Sequence, residues 1–160
     1  MGFVKRETVE LHESVREICV LDFETTGLKA NPDRTIEVGV VVLQNNKIVD
    51  QYQSLMNPGF PLPPEITQLT GIEDHMLVNA PKPEEVMVEL RRFIKNRPIM
   101  CHNVSFDKRF LDAEMHLVGR KIENPYICTL LLSRRIFQAM ENHKLPTLAQ
   151  FFNVQAVDAH

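Results

Sequence analysis

The sequence predicts an α/β domain built on one mixed five-stranded sheet flanked by helices, and three observations lead there. Strand-like runs near residues 18–25, 36–43 and 48–56 follow one another across short connections, as in an antiparallel three-strand meander. Short apolar runs at 99–101 and 126–128 then alternate with segments of helical period, the pattern of parallel strands joined by helical crossovers. The length, 160 residues, suits one domain whose hydrophobic core needs no disulfide or metal staple.

Each element has its own warrant. Residues 1–16 are charged and mixed, compatible with an irregular lead-in, a short helix or the tail of an upstream region, so the domain proper is placed at 17–160. Ile18, Cys19, Val20 and Leu21 are apolar on both faces, which predicts a central strand. After Gly27 and a polar loop, Ile36 to Leu43 is β-branched, and Asn45-Asn46 makes a tight turn into the third strand. Prolines between Pro58 and Pro64 break regular structure, and Pro64-Glu65 opens a helix running to Gly71. From Pro83, the residues Val86, Leu90, Phe93 and Ile94 keep helical period until Pro98 intervenes. Phe106, Phe110, Leu111, Met115 and Leu117 support another helix, between the strands Ile99–Cys101 and Tyr126–Cys128. Thr129 is placed to cap a helix over Leu130 to Phe137. A short helix near Leu148 to Phe152 follows, and no closing helix is expected before His160.

Composition excludes several classes. Hydrophobic residues make up 44% and charged residues 24%, and no apolar run approaches the roughly 20 residues of a membrane span. Cys19, Cys101 and Cys128 lie in apolar or strand-like sequence without C-x-x-C spacing, which predicts buried thiols and a cytoplasmic, reducing compartment. A net charge of −3 carries no global sign of nucleic-acid binding, though phosphate can also be held by metal or by a local basic patch. Arg91-Arg92, Lys108-Arg109, Arg120-Lys121 and Arg134-Arg135 are basic pairs that read as solvated helix faces unless they converge.

The chemistry concentrates where the first strand ends. Side chains alternate along a strand, so Asp22 and Glu24 project to one face, about 7 Å apart by strand rise. Two like charges there are costly unless a cation joins them, and oxygen donors suit Mg²⁺ or Mn²⁺; the alternative is a solvated pair at the strand–loop junction. Asp107 sits in the first turn of a helix, where the macrodipole alone would favour it. Ligands in open α/β sheets gather at the carboxyl ends of strands, which is where Asp22, Glu24, His102 and Asn103 all lie.

The segment Ile18 to Leu28, I-C-V-L-D-F-E-T-T-G-L, resembles the first motif of the DnaQ-like (DEDDh) 3′→5′ exonucleases, which include proofreading subunits of bacterial DNA polymerase III. His102 to Asp107 is similar to their second motif, H-N-x-x-F-D, and Leu62 to Ile72 to the stretch between the two. The resemblance implies a ribonuclease-H-like fold and a two-metal site of Asp22, Glu24 and Asp107 holding Mg²⁺ or Mn²⁺. His160 would be the catalytic histidine that opens the third motif, acting as general base on the attacking water. His143, in Asn142-His143-Lys144-Leu145, is instead structural, opening the helix that presents Leu148, Phe151 and Phe152. Thr25, Thr26 and Gly27 would contact the terminal nucleotide, Asn103 would orient the second-motif loop, and Leu28 and Phe106 would pack either on bases or in the core.

One departure bears on activity. The A-x-x-D that follows the histidine in the family has no counterpart after His160, and Asp158 precedes it, so the fourth carboxylate is missing. The expectation is a C-terminally truncated form of a longer exonuclease, impaired in turnover and with apolar surface uncovered. The implied partners are single-stranded 3′ ends and a DNA polymerase or other replication or repair protein. The rivals are a non-enzymatic protein of this fold that binds ends or a partner, and a metal-dependent phosphohydrolase of small nucleotides.

Overall fold

The computed structural model describes residues 17–154, so the expectations for residues 1–16, Asp158 and His160 lie outside the described residues. Five strands form one sheet in the order β3-β2-β1-β4-β5. They are β1 (Glu17–Thr25), β2 (Thr35–Gln44), β3 (Lys47–Leu55), β4 (Ile99–Cys101) and β5 (Tyr126–Cys128). The first three pair antiparallel as a meander, while β4 and β5 join parallel. Asn45 and Asn46 both take positive φ (51° and 62°). That is the backbone a two-residue hairpin turn requires and asparagine tolerates. β1 is central, as its apolar sequence predicts.

Alternation along β1 decides where the core sits. Cys19, Leu21 and Phe23 face inward with Val38, Val40 and Val42 of β2. They pack on Val86, Met87, Leu90 and Ile94 of α3 (Pro83–Ile94) and on Phe110, Leu111 and Met115 of α4 (Val104–Leu117). The other face differs from expectation. Ile18, Val20, Val41, Met100 and Ile127 are only half-buried, because both long helices lie on the first face. A second cluster of Ile36, Leu62, Ile66, Ile72 and Leu77 anchors α1 (Pro64–Thr70), which Gly71 ends in the left-handed conformation. The four-residue α2 (Asp74–Leu77) is not foreseen by periodicity; Asp74 accepts the Leu62 N–H at 2.8 Å and ties it to the proline-rich segment.

The last two helices correct one expectation. α5 spans Thr129–Ile136, but Thr129 does not cap it. Its hydroxyl turns back across the sheet, 3.0 Å from His102 Nδ1 and 3.4 Å from the Cys101 carbonyl, partners that outcompete the helix terminus. In α6 (Leu145–Phe151) only Leu148 is buried. Phe151 and Phe152 are 54% and 53% exposed and cluster with Phe137 at the surface. Cys19 and Cys101 are buried free thiols as expected, whereas Cys128 is half-buried. Among the described residues no helix is long and apolar enough to cross a membrane.

One polar junction holds these layers together. Glu114 of α4 is buried, and its carboxylate accepts Arg34 Nε and Nη2, each at 2.9 Å, as well as the Thr35 N–H at 3.2 Å. Arg34 also reaches Glu84 at the start of α3 (2.7 Å), and its backbone pairs with Thr26 in both directions. Removing one partner of a buried ion pair strands the other charge. Arg34→Met is therefore expected to lower stability by about 3 kcal/mol. Glu84→Gln, at a half-exposed site, should cost less than about 1 kcal/mol. Urea-unfolding midpoints of the two variants check the contrast, and equal midpoints would contradict it.

Candidate active site

The pleat that buries Phe23 sends Asp22 and Glu24 to the opposite face of β1. Parallel pairing between β1 and β4 stops at Val20–Met100, so the Phe23 N–H lies beyond the last strand pair on that edge. Asp107, in the first turn of α4, supplies the partner: its Oδ1 accepts the Phe23 N–H at 3.2 Å. Asp22, Glu24 and Asp107 are thus gathered about one residue of the central strand.

Their electrostatics reflect that gathering. Asp107 is only 2% exposed. Burial, and then the charge of Asp22 with a smaller push from Glu24, raise its pKa to about 7 against the opposing Phe23 N–H. Asp22 is raised by the surrounding protein and then by Glu37, and is drawn down by His102; its exposed side chain lets solvent screen much of this. Glu37 of β2 lies directly opposite Glu24 in the register and is steadied by Gln53 Nε2 at 2.8 Å. Like charges directly across a strand pair are unfavourable. Sequence reasoning passed over Glu37 as one more strand residue; being the acid within the β-branched run from Ile36 to Leu43 was its signal. It likewise left His102 without a role, although its ring is near enough to stabilise the Asp22 charge.

These donors suit a hard divalent cation: all are carboxylate oxygens, and burial first, then the neighbouring negative charge, raises Asp107, a cost that a bound cation offsets. Among the described residues, no three of His, Cys, Asp and Glu stand together as a ready-made ligand set.

The flanking residues fall into place around this cluster. Thr25 and Thr26 are buried, with Thr25 Oγ1 donating to the Gly27 carbonyl at 2.6 Å and Thr26 Oγ1 accepting the Arg34 N–H at 3.0 Å. Gly27 has a reason beyond any ligand: a Cβ there would lie 2.5 Å from the Asp33 carboxylate, which accepts the Lys29 N–H. Leu28 is 76% exposed, so the core alternative for it is set aside. Phe106 is half-buried against Phe110, with ring centroids 5.1 Å apart. Asn103 adopts a left-handed conformation (φ 69°) at the N-cap of α4, turning the chain from β4 so that Asp107 faces β1. His143 precedes α6 as expected, with its Nδ1 buried and unpartnered among the described residues.

The exonuclease family model described as RNase T matches residues 19–160. The chain belongs to the DnaQ-like exonuclease family. It is 41% identical over 144 residues to the PolC-type DNA polymerase III of Caldanaerobacter subterraneus subsp. tengcongensis, covering 90% of this chain and 10% of that protein. It is 34% identical over 153 residues to the DNA polymerase III subunit epsilon of Treponema pallidum, covering 94% of this chain and 71% of that protein. The chain thus spans about a tenth of the length of the PolC-type relatives it matches. Among solved structures, product-bound exonuclease I superposes with a TM-score of 0.80 at 13% identity, over 89% of this chain and 40% of the other. Exonuclease X in complex with 5′ overhanging duplex DNA gives 0.71 at 24% identity, over 89% and 78%. These likenesses establish the ribonuclease-H-like fold.

The raised Asp107 makes a prediction about pH. Its native form keeps a proton up to about pH 7, while the ordinary value is 3.8, so in chelator stability falls as pH rises between those values and levels off above them. Asp107→Asn should remove that slope, gaining on the order of a few kcal/mol over the native chain at pH 8 compared with pH 4. Urea midpoints across this range test it, and parallel profiles would refute it.

Proposed function

We propose that the chain is a metal-dependent 3′→5′ exonuclease that releases nucleoside 5′-monophosphates from DNA 3′ ends. The observation that carries this reading is Asp107, buried and hydrogen-bonded to the Phe23 N–H between Asp22 and Glu24, in a member of an exonuclease family. Asp22, Glu24 and Asp107 would hold the Mg²⁺ or Mn²⁺ ions, which when bound supply Lewis acidity and counter-charge to the phosphodiester.

The chain's own residues orient the strand and move the proton. Backbone groups of Thr25 and Thr26, fixed by the Arg34 pairing, meet the terminal nucleotide. Leu28, exposed beside them, offers an apolar surface to a base, and the half-buried Phe106 would offer a second. Such contacts suit any base, because they engage a flat face and no hydrogen-bonding edge. His160 accepts the proton of the attacking water, an imidazole being matched to neutral pH. Water oxygen bonds to phosphorus, the P–O3′ bond breaks, and the penultimate nucleotide leaves with a 3′ hydroxyl. Free Cys19, Cys101 and Cys128 fit work in the cytoplasm. The polymerase names of the relatives support a role beside a replicative polymerase.

The test is release of mononucleotides from oligonucleotides labelled at either end, with Mg²⁺ or Mn²⁺. Label at the 3′ terminus should appear first, and Asp22→Ala should slow release at least about a hundredfold, the equivalent of ~3 kcal/mol of lost charge stabilisation. Hydrolysis of free nucleotides in preference to oligonucleotides would point to the phosphohydrolase instead. A form extended past His160 by an Ala-x-x-Asp segment is expected to turn over faster than the 160-residue chain. If that form binds DNA ends and never cuts them, the exonuclease reading fails.

A further inference from the structure

Two of the basic pairs in the sequence converge at the end of the domain away from the carboxylates. Val88, Arg91, Arg92 and Lys95 fall at helical spacing and form one stripe along the last turns of α3. Beside them, α4 ends in a Schellman turn: the Gly119 N–H donates to the His116 carbonyl at 3.0 Å and the Arg120 N–H to the Met115 carbonyl at 2.9 Å. Gly119 takes the positive φ (65°) that this turn needs, and the chain reverses so that Arg120 and Lys121 stand against the α3 stripe. Together these residues line a groove of about 560 Å³ that holds five cations and no carboxylate. On the exposed rim Glu123 meets Lys121 at 3.1 Å.

Helix-end dipoles favour this charge, Lys95 at the C-cap of α3 included, but they do not account for the backbone that Lys95 adopts. Its backbone sits at φ 55° and ψ −129°, a conformation that glycine takes freely and that side chains rarely adopt. The neighbours pin it there: Arg91 Nη1 donates to the Lys95 carbonyl at 2.6 Å and the buried Asn124 Nδ2 at 3.0 Å. An exposed lysine adds little to folding at such a position, so a cation is held in the groove at conformational cost.

We propose that this groove binds the sugar–phosphate backbone of duplex nucleic acid, remote from the carboxylate cluster. Its lining decides the class of partner. Five cations match phosphates; no aromatic side chain offers a stacking platform for unpaired bases, and Val88 alone is apolar, too little to seat the anchor of an acidic peptide. From Asp107 to the last residue of α4, Leu117, the axial rise amounts to roughly 15 Å, or four to five base pairs of duplex. The choice of nucleic acid as the anion rests on the exonuclease reading; the site itself does not.

The experiment is binding of a blunt 20-base-pair duplex to the 160-residue chain, in chelator and over a salt series. The triple variant Arg92→Ala, Arg120→Ala, Lys121→Ala alters exposed side chains only, and an unchanged urea midpoint certifies its fold. Its affinity should fall at least about thirtyfold, and its log–log salt slope should shrink by about 3, near 0.9 for each phosphate no longer neutralised. Cleavage of a dinucleotide, too short to reach from cluster to groove, should be unchanged. Lys95→Gly should raise the urea midpoint while weakening the duplex, a pairing that a purely structural lysine would not give. An unaltered salt slope in the triple variant overturns the proposal. So does capture of octaglutamate that the triple variant loses while its duplex affinity stays intact, which would mark a protein partner. Because binding is read in chelator, absence of hydrolysis with intact groove binding sinks the nuclease reading alone.

Discussion

The buried carboxylate of Glu114 is the constraint on which the rest of this domain depends. A charge at that depth is tolerable only when fully paired, and the pairing draws in Arg34 and the Thr35 backbone. Arg34 then fixes Glu84 of α3 and, through its backbone, Thr26. One junction therefore sets α4 against β1 and β2 and shapes the loop from Thr25 to Leu28. The hydrogen bond from the Phe23 N–H to Asp107 is possible only because α4 is held in that register.

The carboxylate cluster carries the opposite energetics. Asp22, Glu24 and Glu37 share a sheet face, and Asp107 joins them from α4, so assembling them opposes folding while no cation is present. The helix N-terminus and the Phe23 N–H offset part of the repulsion, but not enough to bring Asp107 back to the ordinary carboxylate range. Such a site is destabilised in isolation and stabilised by whatever neutralises it. Metal affinity and folding stability are coupled in a constellation of this kind.

Much of this was legible in the sequence, and the boundary is physical. The meander, its Asn45-Asn46 turn and the long helices announce themselves because alternation, helical period and turn chemistry act over a few residues. Asp22, Glu24 and Asp107 were recognisable through their motifs, although their meeting is a tertiary fact. Glu37 was missed as a member of the cluster because only cross-strand register brings it there, whereas His102 was already legible at the strand ends beside Asp22 and Glu24. Thr129 misled for a related reason, and the exposure of Phe151 and Phe152 was equally beyond local sequence. A capping residue or an apolar spacing states what a side chain can do locally, and a stronger partner across the sheet, or the lack of a core to enter, decides what it does.

The distribution of charge along α4 joins the two ends of the molecule. Asp107 lies in its first turn, near the positive end of the helix dipole, and Arg120 follows its C-terminal turn, near the negative end. Local helix electrostatics thus favour an acid at the cluster and a base at the groove, in a chain whose net charge is only −3. A polyanion approaching this domain is repelled by the bare carboxylates and attracted at the far end. With cations bound at the cluster, both ends attract it. Metal loading would then govern which end of the domain engages the backbone first, with the groove binding in either state and the cluster only when neutralised.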